Sequence, residues 1–298
     1  MKILITGANG FIAKNLITHL QELNFDLILF GKGDLFSLIE KEIESIDFIF
    51  HLAGVNRPLK EIDFTKVNYG LTEKLILLIK KKKRKIPILF SSSIQAEEDN
   101  PYGNSKLKAE NLLKEFHKNN GSPVYIFRLK NIFGKWAKPN YNSVVATYCF
   151  NVINDIPIII NKPNKTLSLT YIDDLIGDFL NYLQQKPKGI FEVLNKNYYT
   201  CTVNDLASKI KSFKNLTNSG LIDSVGEGLI RALYATFLSY YPTNLFFRSL
   251  TENIDKRGKF VEILKTKNSG QISYFTANPG ITRGDHYHHT KNEKFVVV

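Results

Sequence analysis

Tyr102 and Lys106 stand four residues apart, just downstream of the run Ser91-Ser92-Ser93. On a helix that spacing puts a phenol and an ammonium on one face, where they can share one proton-transfer task. A free phenol titrates at about 10, and a neighbouring cation favours its ionised form. The chemistry open to such a pair is acid-base assistance at a carbonyl, with Tyr102 giving a proton to a ketone oxygen as hydride arrives. Ser93, with Ser92 as a second candidate, would hydrogen-bond that oxygen and fix its position.

Hydride needs a carrier, and the first residues offer a holder for one. In Gly7-Ala8-Asn9-Gly10-Phe11-Ile12-Ala13, Gly7 permits a tight turn after a strand and Gly10 lets the backbone approach a pyrophosphate. The helix opening at Phe11 and Ile12 then offers it free N–H groups. Ala13 stands where a third glycine is usual and still allows close helix packing. Dinucleotide choice is read at the end of the next strand, Phe30-Gly31-Lys32. Lys32 suits a 2′-phosphate and Asp34 lies too far on to take the ribose, so NADPH is expected, with NADH as the alternative.

These residues need a frame, and the hydrophobic pattern supplies one. Strands are predicted over residues 2–6, 27–30, 47–52, 86–91 and 123–129. Helices are predicted over 11–23, 34–43, from beyond Gly54 to about 81, and over 102–119. Strands spaced by helices imply right-handed crossovers and an α/β, Rossmann-type doubly wound parallel sheet. Ligands bind beyond the carboxyl ends of such strands. The glycine turn, Ala53-Gly54, the serines and Asn131 all fall there.

Composition bounds the remaining classes. At 298 residues and 43% hydrophobic, the chain is long enough for one large core and a second unit. Its longest apolar runs fall far short of the roughly 20 residues a bilayer needs, and Met1 leads directly into a strand, so a cytoplasmic protein without membrane insertion is expected. Cys149 and Cys201 read as buried thiols. The net charge of +12 and the six basic residues 80–85 invite a nucleic-acid role. Yet the run follows an apolar helical segment, where cations complement a helix C-terminus, and no aromatic interleaving accompanies it. No nucleic-acid partner is expected; a basic surface would attract a diphosphate-bearing substrate.

Residues 1 to about 245 resemble the extended short-chain dehydrogenase/reductase family that acts on nucleotide sugars. The resemblance rests on the opening glycine turn, His51-Leu52-Ala53-Gly54, Val67-Asn68, the serines, Tyr102-Gly-Asn-Ser-Lys106, Arg128-Leu-Lys-Asn131-Ile-Phe-Gly134 and Tyr171-Ile-Asp-Asp174, all in the family's order. It implies a catalytic set of Ser93, Tyr102 and Lys106. Leu52, Ala53, Gly54 and Asn68 would join Gly7, Asn9, Gly10, Phe11, Ile12 and Lys32 around the cofactor. Asn131 and the stretch from Lys135 and Trp136 through Asn140 and Asn142 to Ser143 would line a UDP-sugar pocket, in a lobe built mainly by residues 165–245.

Three of the six histidines lie within residues 286–289. Gly280, His286-Tyr-His288 and Glu293 resemble the first metal-binding motif of the cupins, in which His286, His288 and Glu293 would hold Zn²⁺ or another divalent metal. The second motif does not follow, so residues 246–298 are expected to form an incomplete cupin-like β segment with unpaired edges. Val225-Gly-Glu-Gly-Leu229, Leu233-Tyr-Ala-Thr-Phe-Leu-Ser-Tyr240, Asp255-Lys-Arg-Gly258 and the stretch from Pro279 to Phe295 together resemble the bifunctional capsular polysaccharide assembling proteins of the CapF type. That resemblance implies NADPH-dependent reduction of the C4 ketone of a UDP-4-keto-6-deoxy-N-acetylhexosamine, with the cupin C3-epimerase incomplete. A nucleotide-sugar epimerase or dehydratase that retains its cofactor and a non-catalytic nucleotide-binding scaffold remain alternatives. Leu229, Leu233, Phe237 and Tyr240 recur at helical spacing, so that helix should bury one face against the core or against a partner subunit in a homodimer.

Overall fold

The structure is a computed structural model that describes residues 1–56, 60, 62–194, 197–222, 224–284 and 287–297. Strand β1 (Lys2–Thr6) turns at the glycines into α1 (Phe11–Glu22), then β2 (Asp26–Phe30), α2 (Ser37–Glu42) and β3 (Phe48–His51). A π-helical turn (Phe64–Tyr69) leads into α3 (Gly70–Lys81), followed by β4 (Ile88–Ser93), α4 (Pro101–Asn120) and β5 (Val124–Leu129). Next come β6 (Asn131–Phe133), α5 (Val144–Ile153), β7 (Thr166–Tyr171), α6 (Ile172–Gln185), β8 (Ile190–Leu194), β9 (Tyr199–Thr202) and α7 (Val203–Ser219). The chain continues through β10 (Leu221–Ile222), α8 (Gly228–Ser239), β11 (Glu252–Asp255), β12 (Gly258–Thr266) and β13 (Gln271–Phe275).

Strands β2-β1-β3-β4-β5-β8 form one six-stranded sheet, every adjacent pair parallel. Period-two alternation sends its residues to two cores. Ile3, Ile5, Phe48, Phe50, Leu89, Tyr125 and Phe127 meet α1 and α6 on one face. Leu4, Ile49, Ile88, Phe90, Val124 and Ile126 meet α3 and α4 on the other. Covering both faces explains why β3 and β4 are buried along their whole length. Strand order reverses between β1 and β3, so the crevice a ligand would use opens beyond Thr6 and His51.

A smaller sheet, β6-β7-β9, follows the carboxyl end of β5, and α5, α7 and α8 pack beside it. On α8, Leu233 and Phe237 are fully buried in the core shared with α1 and α6. Strands β11, β12 and β13 form an antiparallel unit joined to the rest through the parallel pair β10–β12. Cys149 and Cys201 are buried free thiols. No helix among the described residues is long and apolar enough to cross a membrane.

Three element boundaries differ from expectation for local reasons. The helix predicted over 34–43 begins only at Ser37, because Gly33 has φ +102° and Asp34 folds back, its carboxylate accepting from the Gly31 N–H at 2.7 Å. The helix predicted to run unbroken to about 81 starts as the π-turn that holds Asn68. Strand β4 runs on to Ser93, so all three serines lie within it.

Candidate active site

Gly7 has φ +74°, and a Cβ there would sit 2.7 Å from both Cα and N of Ala53. Turn geometry and the close approach of β3 thus both require glycine. Gly10 caps α1 with no side-chain hydrogen bond, and that helix has no acid in its first turn. The N–H groups at Phe11 and Ile12 therefore face the crevice mouth without a side-chain cap, which suits an anionic diphosphate. The Asn9 amide lies against Gly31, where a Cβ would come within 2.7 Å of its Nδ2. A Cβ on Gly54 would meet Lys106 Nζ at 3.0 Å and Asn68 Oδ1 at 3.2 Å. Glycines at these points leave a cradle that a dinucleotide fits. Lys32 is exposed just past β2, and the Asp34 carboxylate beside it is engaged by the Gly31 N–H.

Asn100 caps α4 by accepting from the Gly103 N–H at 2.8 Å, Pro101 occupies the first turn, and Gly121 ends the helix at φ +78°. A Cβ on Gly103 would fall 2.0 Å from the Gln95 carbonyl oxygen, so this start of α4 is pressed onto the turn that follows Ser93. That contact brings Tyr102 to Ser93: burial holds the Tyr102 phenol above its usual range, and hydrogen bonding with Ser93 opposes the rise. Tyr102 is accordingly protonated at neutral pH, as a proton donor must be. The ring of Phe64, from the π-turn, lies 5.9 Å from it.

Lys106 is 3% exposed. Its ammonium donates to the Ser91 carbonyl at 2.8 Å and lies 4.9 Å from the centre of the Phe90 ring. Burial lowers its pKa to about 8, with Glu110 opposing the fall. The ammonium is thus turned toward β4. Asn68 fixes the wall opposite: its Oδ1 accepts from Val55 N at 2.8 Å, and its Nδ2 donates to Val55 O at 3.1 Å and Ser105 Oγ at 2.9 Å.

Behind this wall runs a buried polar chain. The Thr72 hydroxyl donates to Asn68 O at 2.9 Å, so it must accept from His51 Nε2–H at 2.8 Å. His51 is neutral, its pKa lowered to about 3 by burial and by Lys106. Its Nδ1 therefore accepts the Thr6 hydroxyl at 2.7 Å, which in turn accepts from Ala53 N at 3.2 Å.

Strand alternation sets Ser92 apart from Ser91 and Ser93, and its hydroxyl donates to Glu110 at 2.5 Å. Asn131, Asn140 and Asn142 line one cavity of about 480 Å³ with Phe133, Ser143 and Leu169. It opens two residues past Leu129, the register partner of Ser93. Asn131 also donates to Ser168 O at 3.1 Å. Lys135 pairs instead with Asp173 at 3.3 Å, and Trp136 is half exposed outside that lining. A second, polar cavity of about 370 Å³ flanks α4 at Phe64, Asn104 and Lys108.

Of the expected metal set, His286 lies outside the described residues. His288 Nε2 stands 3.9 Å from Glu293, which also pairs with Lys291. No group of three metal-ligating side chains occurs among the described residues.

Sequence reasoning missed Glu110 and the Thr6–His51–Thr72 chain. A carboxylate four residues after Lys106 was the signal for the first, and nothing in spacing marked the second.

Residues 3–194 match the family described as NAD dependent epimerase/dehydratase, and residues 253–298 match the polysaccharide biosynthesis C-terminal domain. The chain is 47% identical over 299 residues to a Pseudomonas aeruginosa protein named UDP-2-acetamido-2,6-beta-L-arabino-hexul-4-ose reductase, an alignment covering 100% of this chain and 80% of that one. The crystal structure of the capsular polysaccharide assembling protein CapF from Staphylococcus aureus superposes with a TM-score of 0.87 at 38% identity, covering 97% of this chain and 79% of that one. UDP-glucuronic acid 4-epimerase from Bacillus cereus, in complex with UDP-glucuronic acid and NAD, shares the fold at TM-score 0.64 and 22% identity, over 72% of this chain and 83% of that one.

Proposed function

The chain belongs to the NAD dependent epimerase/dehydratase family, and on that premise we propose that it reduces the C4 ketone of a UDP-4-keto-6-deoxy-N-acetylhexosamine with NADPH, in the synthesis of a capsular or other surface polysaccharide precursor. The observation that carries this reading is the pairing of Tyr102 with Ser93, with Lys106 one helical turn on, held by Ser91 O beside Gly54. Support for the substrate comes from the 47% identical reductase and the CapF likeness.

When bound, the nicotinamide supplies the hydride that reaches C4. Tyr102 gives its phenolic proton to the ketone oxygen, so ketone, hydride and proton become an alcohol, and solvent restores the phenol. Ser93 donates to the same oxygen and holds it beside Tyr102. Lys106, fixed by Ser91 O, would hold a positive charge one helical turn from the phenolate formed on transfer. The exposed Lys32 favours the 2′-phosphate of NADPH over NADH. Asn140 and Asn142, in the cavity lining, would bind the UDP-sugar.

Dehydration or epimerisation with retained cofactor is the weaker reading. The two acids that follow the serines in sequence are already engaged, Glu97 with Arg128 at 2.7 Å and Glu98 with the Asn100 amide at 3.1 Å, and Glu110 is held by Ser92 and Arg128. With the reductase reading go a reductase domain to about residue 245, a cupin-like unit from 246 whose metal set is His286, His288 and Glu293, a cytoplasmic location and a homodimer.

The test is turnover. The C3-epimerised UDP-4-keto-6-deoxy-N-acetylhexosamine, mixed with purified protein and either NADPH or NADH, should consume NADPH faster, and Tyr102→Phe should abolish consumption while still binding nucleotide. No consumption of either dinucleotide would overturn the reading.

A further inference from the structure

We infer that Glu110 is a positioning residue for this proton transfer: its carboxylate holds the end of β4 against α4 and supplies the counter-charge one helical turn from Lys106. The inference rests on the reductase reading for its kinetic consequence and on geometry for the rest.

Glu110 is fully buried on α4. It accepts from the Ser92 hydroxyl at 2.5 Å, from Arg128 Nε at 3.0 Å and from Arg128 Nη2 at 2.6 Å. Ser92 and Arg128 are register partners on β4 and β5, so one carboxylate ties a helix to two adjacent strands at a single rung. The residues on either side of that rung serve the reacting pair: the Ser91 carbonyl receives Lys106, and the Ser93 hydroxyl meets Tyr102. Any rotation of β4 about Ser92 would move both contacts at once. The ion pair is poorly placed as mere surface decoration, since a buried carboxylate is retained only with its hydrogen bonds satisfied.

Charge supplies the second line of argument. Around Lys106 stand neutral His51 from β3, Tyr102 and Glu110 on its own helix, and Arg128 behind Glu110. Arg128 in turn holds Glu97 at 2.7 Å and Glu192 at 3.6 Å on its far side. Glu110 is the group that opposes the loss of the Lys106 proton on burial. Without its charge, Arg128 would add to the pressure on Lys106, and the ammonium would deprotonate at lower pH.

The experiment compares wild type with Glu110→Gln, Glu110→Asp and Ser92→Ala. The ¹³Cε resonance of Lys106, assigned by its absence in Lys106→Arg, is titrated in protein free of cofactor and substrate. The alkaline limb of kcat/KM is recorded in parallel. Glu110→Gln should move both the titration and the limb down by about one pH unit and lower kcat about tenfold. Ser92→Ala and Glu110→Asp keep the charge, so they should lower kcat and leave the limb in place. A Lys106 titration unmoved in Glu110→Gln overturns the counter-charge role. Wild-type kcat in both Ser92→Ala and Glu110→Asp overturns the positioning role, and that pair decides it should Glu110→Gln not fold. If wild type itself consumes no NADPH, the reductase reading fails, while the ¹³C titration still decides whether Glu110 holds the charge on Lys106.

Discussion

Strand β4, in the six-stranded sheet, and strand β12, in the C-terminal unit, both carry runs of large apolar residues, yet their fates differ. All six residues of β4 are buried. Of the nine in β12, Gly258 and Val261 are buried and the rest are not. Neighbouring Ile254, Ile272, Tyr274 and Phe275 in β11 and β13 are exposed. The difference lies in what covers the strands: α1 and α6 close one face of the six-stranded sheet and α3 and α4 the other. In the first region, burial also makes an unpartnered polar group costly, which favours the organised hydrogen bonds at Tyr102, Lys106 and Asn68. The second can carry substitutions that the first cannot.

The sharpest way to test that contrast is at the reacting groups. Lys106→Met should lower kcat about 10²–10⁴-fold with the fold retained, as steady-state kinetics and circular dichroism would record. Next comes Arg128→Met, which strands the Glu110 carboxylate without its cation and should cost about 3–5 kcal/mol in urea unfolding. Gly7→Ala forces an alanine to positive φ and its Cβ onto the Ala53 backbone. It should cost about 2–4 kcal/mol and weaken dinucleotide binding measured by calorimetry.

A smaller effect depends on pH. The folded chain keeps His51 neutral down to about 3, whereas an unfolded chain protonates it near 6.5. The unfolded state thus binds more protons below that value, and stability falls as pH drops. His51 alone should make the protein about 2 kcal/mol less stable at pH 5 than at pH 7, and His51→Asn should flatten that slope. Smallest of all is Ile254→Ser in β11, 70% exposed, expected to shift the urea midpoint by an amount equivalent to less than about 0.5 kcal/mol. A cost above about 2 kcal/mol would show that β11 is covered in solution and would erase the contrast.

What was legible in the sequence was whatever is encoded by neighbours along the chain. Asn100-Pro101 and Gly121 mark the two ends of α4, and short continuous apolar runs mark β1 through β5. Gly7 and Gly10 announce a crevice because a glycine turn is a local device. The π-turn at Asn68 was hidden, since nothing in its residues distinguishes five-residue from four-residue hydrogen bonding. Three serines in a row look equivalent in sequence, and strand extent decides which of them face the same way. Glu110 lies 18 residues from both Ser92 and Arg128, and that meeting is a product of the crossover that lays α4 on β4 and β5.

The chain of bonds from Ala53 through Thr6, His51 and Thr72 to Asn68 runs in one direction only, each hydrogen already committed to the next acceptor. A proton could travel along it only by reversing every link, and the ring at its centre resists taking up charge until strongly acid pH. The interior side of the site therefore behaves as an insulator. If Tyr102 gives up its proton as proposed, a new one would have to come from the open side of the crevice, which would tie turnover to the moment when product leaves and water returns.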